Sequence, residues 1–586
     1  MKIVLCTTPI RPAPTDFPPF GSLAILQTLR REGWDPFFYD IDGLRPSLAE
    51  VEEFFAHFQP DVVGISAVVS TAYAYTKTLV ALIKHVSPRA HIVLGGNLAA
   101  SAEILHRLAA VDYCVIGEGE IIIRNLIRHF ANHPGPTPDE AALSRIPGIT
   151  FLDSQGEMHF TGYEKPLAAA EFSDPDYSIL EKHSRIGNFI TDPFSRPDFL
   201  QDQRTHEPHR RGRKMATLIT AKGCVGRCTF CHRWDKGYRA IPAEKLLRQI
   251  RDLKERYDVG FLQVSDENFG SDQRQLRAFI AAIKSEDILY NVGGVRVRSV
   301  SPQILRDLRD SGCVAVYYGM ETGSPDILEM MEKKATQEDN ENAARWTREA
   351  GLYTIYQLVL GMPGETEKTI QDTTRFLQRA TEDLDAPPIS RLSVNYIQAL
   401  PGTAIYEYAR QQGLIGRSLR EEEQYLLRIS DINAADDTRF LNFTAYDYLT
   451  VQSWRRQIML DVIHHYRKKH RSPRPRLRDL ILRRARGAGA TDDHFNMQRG
   501  LLGYEMISAY CYPVGRAVIY AWLILKDFRR NRLSVFCSHL LGHFVTRLKP
   551  KPAPIVYKSL RKIMRELQPQ PKTPSEVAMA ALRDGR

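Results

Sequence analysis

Apolar and polar positions along the chain fall into three regimes. In the first, short apolar runs alternate with helical patterns. Lys2 to Thr7 (KIVLCT), Asp61 to Ser66 (DVVGIS), His91 to Gly95 (HIVLG) and Asp112 to Ile116 (DYCVI) read as strands, with a further one around Pro36 to Tyr39. Gly21 to Glu32 carries Leu23, Leu26 and Leu29 at near-helical spacing, and Tyr73 to Val86 reads as a second helix. Apolar strands separated by helices predict a parallel sheet covered on both faces. Ligands of such sheets lie beyond the carboxyl ends of the strands. Those ends carry Thr7 and Thr8, Ser66 to Thr71, Gly95-Gly96-Asn97 and Gly117-Glu118-Gly119-Glu120. The glycines fit either close approach by a large ligand or tight turns and nothing more.

Residues 132 to 215 are rich in proline, histidine and charge, and read as a linker with short ordered pieces such as a hairpin over Ile149 to His159. Alternation then resumes. Thr217 to Thr220, Phe261 to Ser265, Asn291 to Val295, Ala315 to Tyr318, Tyr353 to Leu360 and Leu392 to Ile397 are six apolar strands with helical patterns between them. Six such units fit a partial (β/α)6 barrel, smaller than the eight-unit form. Beyond Ser430 the pattern is helical, basic and aromatic. The expected fold is therefore α/β: a Rossmann-like (flavodoxin-like) sheet over 1–135, a linker over 136–205, a partial barrel over 206–430 and a mostly α-helical basic region over 431–586.

With 586 residues and 43 % apolar content, the chain can bury several cores. Eight cysteines are too few for a disulfide scaffold. No run has the ~18 uncharged apolar residues of a membrane span, and MKIVLCTTPIRPAP lacks a secretory pattern. The expected location is the cytoplasm, with reduced thiols. The net charge of +10 is unevenly spread. Val451 to Arg586 holds 28 Lys and Arg against 9 Asp and Glu, a net of +19, which leaves −9 for the first 450 residues. Such a tail seeks an anionic partner or forms a solvated basic surface.

The chemistry concentrates in Lys222 to Arg233 (KGCVGRCTFCHR). Cys224, Cys228 and Cys231 are spaced C-x3-C-x2-C after a predicted strand. Three thiolates on one loop can hold three irons of a [4Fe–4S] cluster and leave the fourth iron open. Two other readings stand beside this one. Cys228 to His232 spells the C-x-x-C-H haem pattern, which needs export. A closed zinc site with His232 would need adjacent Cys231 and His232 as tetrahedral partners. The remaining cysteines (Cys6, Cys114, Cys313, Cys511 and Cys537) read as core packing.

With Phe230 before its last cysteine, this loop resembles that of the radical S-adenosylmethionine (SAM) superfamily. Ser265 to Phe269 (SDENF), Gly319 to Ser324 (GMETGS), Leu360 to Thr366 (LGMPGET) and Leu400 to Thr403 (LPGT) resemble its later strand-end segments, in order. The front region, with DVVGIS, VLGG and DYCVIGEGE, is similar to the cobalamin-binding domain joined to such barrels. The resemblance covers about 1–430. It implies that Cys224, Cys228 and Cys231 hold the cluster. It assigns Phe230, Asp266, Glu267, Asn268, Arg296, Glu321, Gly361, Gly364 and Glu365 to SAM. It assigns Thr8, Ser66, Ser70, Thr71, Gly95, Gly96, Gly117, Glu118 and Glu120 to cobalamin. For the polar residues, barrel-mouth salt bridges or caps are the alternative. One departure is visible: TTPIRPAPTDFPPFG lacks the histidine of the D-x-H-x-x-G loop that ligates cobalt in some relatives. A domain that binds no corrinoid is therefore the competing reading.

The resemblance implies a cobalamin-dependent radical SAM enzyme. Such an enzyme methylates an unactivated carbon of a small-molecule substrate by way of a 5′-deoxyadenosyl radical and methylcobalamin. Radical cyclisation or rearrangement, and a non-catalytic iron–sulfur regulator, are the alternatives. The implied partners are the substrate, lipid-like or acidic, and an electron donor such as flavodoxin or ferredoxin. Basic residues flanking Ala517 to Leu525 suit peripheral contact with an anionic membrane or helices packed over the barrel. The tail is poor in the compact motifs of an RNA-binding module, so nucleic acid is not an expected partner.

Overall fold

The computed structural model describes residues 1–133, 139–232, 237–429, 439–474, 504–530, 535–537, 539–541, 543 and 560–562. The expected boundary at 430/431 and much of the basic stretch Arg474 to Arg486 lie outside these residues.

Five strands form the parallel part of the first sheet: β1 (Ile3–Thr7), β2 (Phe37–Tyr39), β3 (Val62–Ser66), β4 (His91–Gly95) and β5 (Tyr113–Val115). The order is β2-β1-β3-β4-β5. Every residue of β1 is buried, as apolar helices on both faces require. The reversal of strand order falls between β1 and β3, the usual ligand crevice of a doubly wound sheet. The sheet extends into the expected linker. Antiparallel strands β6 (Ile149–Leu152) and β7 (Met158–Phe160) add to the edge of β5, with Cys114 opposite Thr150. The hairpin foreseen there thus closes an open sheet edge.

A second sheet is parallel throughout. Its strands are β8 (Lys214–Leu218), β11 (Val259–Val264), β12 (Leu289–Val295), β13 (Cys313–Glu321), β14 (Tyr356–Leu360) and β15 (Leu392–Tyr396), ordered β8-β11-β12-β13-β14-β15. Each strand pairs with its sequence neighbours, giving an open half-barrel with helices outside. After β8, a short antiparallel ribbon of β9 (Ala221–Lys222) and β10 (Arg239–Ala240) brackets the cysteine loop. The helix Tyr448–Lys469 packs along the outside of this barrel, with Trp454, Ile458 and Val462 in its core.

All eight cysteines are free thiols. Cys6, Cys114 and Cys313 are core residues as expected, with burial pushing each thiol up to about 12. Cys511 and Cys537 are not: the first is half-buried and the second exposed. Apolar neighbours of both, Tyr510 and Val535, are exposed as well. Among the described residues, no helix is long and apolar enough to cross a membrane.

Candidate functional site

The two sheets meet carboxyl end to carboxyl end. A Cβ on Gly402, beyond β15, would lie 3.0 Å from Ala100 beyond β4 and 3.0 Å from His232 Nε2 in the cysteine loop. Leu98 and Ala99 of the first domain share a core with Met362, Ile397 and Ala399 of the barrel. The cysteine loop lies at this seam, and Phe230 packs against the same core.

The loop is pinned at three points. Buried Thr229 donates its N–H to the Met331 carbonyl at 3.0 Å and its hydroxyl to the Met330 carbonyl at 3.3 Å. The Thr229 carbonyl accepts from the Ile405 N–H at 3.0 Å. At the loop's entrance, the Asp266 carboxylate accepts N–H groups of Thr220 at 2.7 Å and Ala221 at 3.3 Å, and also the Thr220 hydroxyl. Burial pushes the Asp266 carboxyl up to about 6, against the pull of these bonds. Inside the loop, the Gly226 N–H donates to Cys224 Sγ at 3.2 Å. Cys224 is half-buried, Cys228 buried and Cys231 exposed. The three thiols share one anchored loop. However, no three His, Cys, Asp or Glu side chains among the described residues are gathered in a metal-holding arrangement. That holds equally for the zinc set with His232.

Residues expected around SAM follow the ends of successive strands. Beyond β11, Glu267 is exposed and Asn268 is 1 % exposed. Asn268 Oδ1 accepts from Ser271 at 2.8 Å, while its Nδ2 has no partner. At the end of β13, Glu321 adopts φ +63° and accepts from Lys333 Nζ at 2.6 Å. Arg296, beyond β12, donates to the Lys333 carbonyl at 2.8 Å. Burial works against the Lys333 ammonium, but the Glu321 carboxylate and then Cys228 carry its pKa above the ordinary amine value. Beyond β14, Gly361 (φ +90°) and Gly364 (φ +83°) turn the chain. The Gly361 N–H donates to one oxygen of buried Glu365, and the other oxygen has no partner. Burial pushes Glu365 up to about 8.

Lys333, Thr229 and Gln398 were not foreseen. Gln398 follows β15, is 7 % exposed and leaves Oε1 without a partner. Its position two residues before the LPGT segment was the available signal. Lys333 sits in a charged stretch (MEKKAT) that resembles any solvated helix end.

In the first domain, the Thr8 hydroxyl donates to the Ser66 carbonyl at 3.0 Å, joining β1 to β3 at the switch point. Ser70 is buried and Thr71 half-buried. Gly96 (φ +94°) and Gly117 (φ +120°) turn away from β4 and β5, while a Cβ on Gly95 would meet only Val115, at 3.9 Å. The buried hydroxyls of Tyr75 and Ser101 have no partner. Glu118 and Glu120 are engaged elsewhere: Glu118 pairs with Arg239 and Glu120 with Lys222 at 2.8 Å, across the domain seam.

These observations fit the expected groups. Three thiols on one short anchored loop are, by their chemistry, the donor set of an open-site [4Fe–4S] cluster, although the described side chains do not stand gathered around a metal position. Buried polar atoms of Asn268, Glu365 and Gln398, unpartnered beyond three strands of one sheet, suit a polar ligand at the barrel mouth. The open space at Gly95, and separately the unpartnered buried hydroxyls of Tyr75 and Ser101 in the same domain, suit a large ligand on the first sheet.

Comparison with known proteins agrees with the geometry. Residues 218–377 match the model of the radical SAM superfamily, and residues 7–127 match that of the B12 binding domain. An uncharacterised methyltransferase of Pyrococcus horikoshii is 26 % identical over 432 residues, 71 % of this chain and 84 % of that protein. An anaerobic magnesium-protoporphyrin IX monomethyl ester cyclase of Cereibacter sphaeroides is 26 % identical over 373 residues, 61 % of this chain and 56 % of that protein. Among solved structures, the radical SAM methyltransferase TsrM of Kitasatospora setae, with cobalamin and a [4Fe–4S] cluster bound, superposes with a TM-score of 0.57 at 16 % identity. That match covers 87 % of this chain and 99 % of TsrM.

Proposed function

The chain belongs to the radical SAM superfamily and carries a B12 binding domain ahead of its barrel, and from that premise we propose a cobalamin-dependent radical SAM methyltransferase acting on a small molecule. A [4Fe–4S] cluster, SAM and cobalamin, when bound, supply the one-electron and methyl-transfer chemistry. Cys224, Cys228 and Cys231 hold the cluster. Thr229 and Asp266 keep the loop in place, so that its thiols are presented at the barrel mouth rather than spread into solvent. Asn268, Arg296, Glu321, Glu365 and Gln398 orient the polar ends of SAM, with Lys333 holding Glu321. Thr8, Ser66, Ser70, Thr71, Gly95, Gly96 and Gly117 form the edge on which the corrinoid lies. The shared core of Leu98, Ala99, Ile397 and Ala399 excludes water between the two sites.

The observation that supports this reading is the meeting of the two carboxyl ends at one seam. The test is to incubate reconstituted protein with methyl-labelled SAM, a one-electron donor and fractionated small-molecule extract. The expected result is labelled product together with demethylated SAM. A cyclised, unlabelled product would assign the cyclase reading. No SAM turnover under reductant would assign a regulator.

A further inference from the structure

The helix Gly515–Arg530 buries one side and leaves the other bare. Ile519 and Leu523 pack with Leu460 of the helix Tyr448–Lys469. Outward, Val514, Val518, Trp522, Leu525 and Phe528 recur at helical spacing, and all five are exposed, Leu525 by 58 % and Phe528 by 55 %. Ala517 and Ala521 fill the gaps and are exposed too. A soluble surface helix shows the reverse pattern, with polar residues outward. The rim of this stripe is cationic. Arg456 and Lys526 both lie over the Trp522 ring, at 4.6 and 5.2 Å, and Arg529 is exposed beside it. The helix's one carboxylate, Asp527, is buried and turned inward, where it faces His539 Nδ1 at 3.0 Å.

We infer that this face is a docking surface for an anionic lipid bilayer, on which the helix lies in the interfacial plane. Charge selects this occupant. Residues 451–586 carry a net of +19, so a second copy of the chain would bring two strongly basic regions together. An anionic bilayer offers hydrocarbon to the stripe and negative headgroups to its rim. An aromatic ring with cations above it is suited to the boundary between the two. The inference does not depend on the cofactors.

The test uses the full chain in flotation with vesicles of phosphatidylcholine alone and of phosphatidylcholine with phosphatidylglycerol. Flotation is expected only with the anionic vesicles, and it should be lost at high salt. Tryptophan emission should shift to the blue on binding, and the shift should vanish in Trp522→Phe. Leu525 is 58 % exposed, so Leu525→Asp removes little packing and should weaken binding by roughly tenfold or more. Arg529→Gln should weaken it by roughly fivefold. Val518→Ser serves if Leu525→Asp fails to fold. Absence of flotation with anionic vesicles at low salt would overturn the inference, as would unchanged flotation of both stripe variants. Dimers that Leu525→Asp dissociates, with no vesicle binding, would give the face to a second copy instead.

Discussion

Lys222 and Arg239 stand directly opposite each other on the ribbon that brackets the cysteine loop. Two like charges in that register repel. Each is answered from the first domain, Lys222 by Glu120 at 2.8 Å and Arg239 by Glu118, and both cations lie over the Phe172 ring, at 4.6 and 5.3 Å. The acidic turn after β5 thus clasps the base of the cysteine loop. Glu118→Gln leaves Arg239 largely buried without its carboxylate, and should cost about 3 kcal/mol. Denaturant melts of the metal-free chain check this. Glu120→Gln should cost less, because Lys222 is more exposed.

Gly319 is adjacent to the Glu321–Lys333 pair. A Cβ there would lie 2.4 Å from Glu321 Oε1 and 3.0 Å from Lys333 Nζ. Gly319→Ala should therefore displace the pair and destabilise the chain by ~1–2 kcal/mol. It should also weaken SAM binding to the reconstituted protein, measured by equilibrium dialysis. Equal SAM affinity in the variant would remove Glu321 from the SAM site.

Glu365 makes stability depend on pH. Burial holds its folded pKa at about 8, above its ordinary 4.5. The folded state therefore keeps a proton that the unfolded chain releases. This contribution is fully present below pH 4.5 and is lost as pH rises through about 8, with a total of up to about 5 kcal/mol. Asp266 adds a smaller effect of the same sign between 3.8 and about 6. Melting of the metal-free chain at a series of pH values should show this loss, and Glu365→Gln should flatten it between 5 and 8.

Much of this architecture was legible because apolar runs are long and strand–helix alternation is regular. The helix over Tyr73 to Val86 and all six barrel strands lie where the periodicity puts them, within a few residues. The cysteine loop was legible because three donors sit within eight residues. Contacts made over long separations were not. Nothing near Glu118 or Glu120 in the sequence reveals Arg239 or Lys222, more than 100 residues away. A carboxylate at a strand end reads equally as a ligand contact and as an ion pair. Lys333 and Thr229 were missed for a related reason: their roles depend on partners from other segments, namely Glu321 and Ile405.

The substitutions Cys224→Ala, Cys228→Ala and Cys231→Ala, made together, remove only one fully buried side chain. The fold should survive, with an unchanged far-ultraviolet spectrum, while iron uptake is lost. Retained iron in the triple variant would place the cluster elsewhere.

The most direct measurement is elemental analysis of the full chain after anaerobic reconstitution with iron, sulfide and cobalamin. The account predicts about four irons with matching sulfide on Cys224, Cys228 and Cys231, and near-stoichiometric cobalt held by the first domain. Zinc bound in place of iron, in a colourless protein that still turns over its substrate, would contradict it.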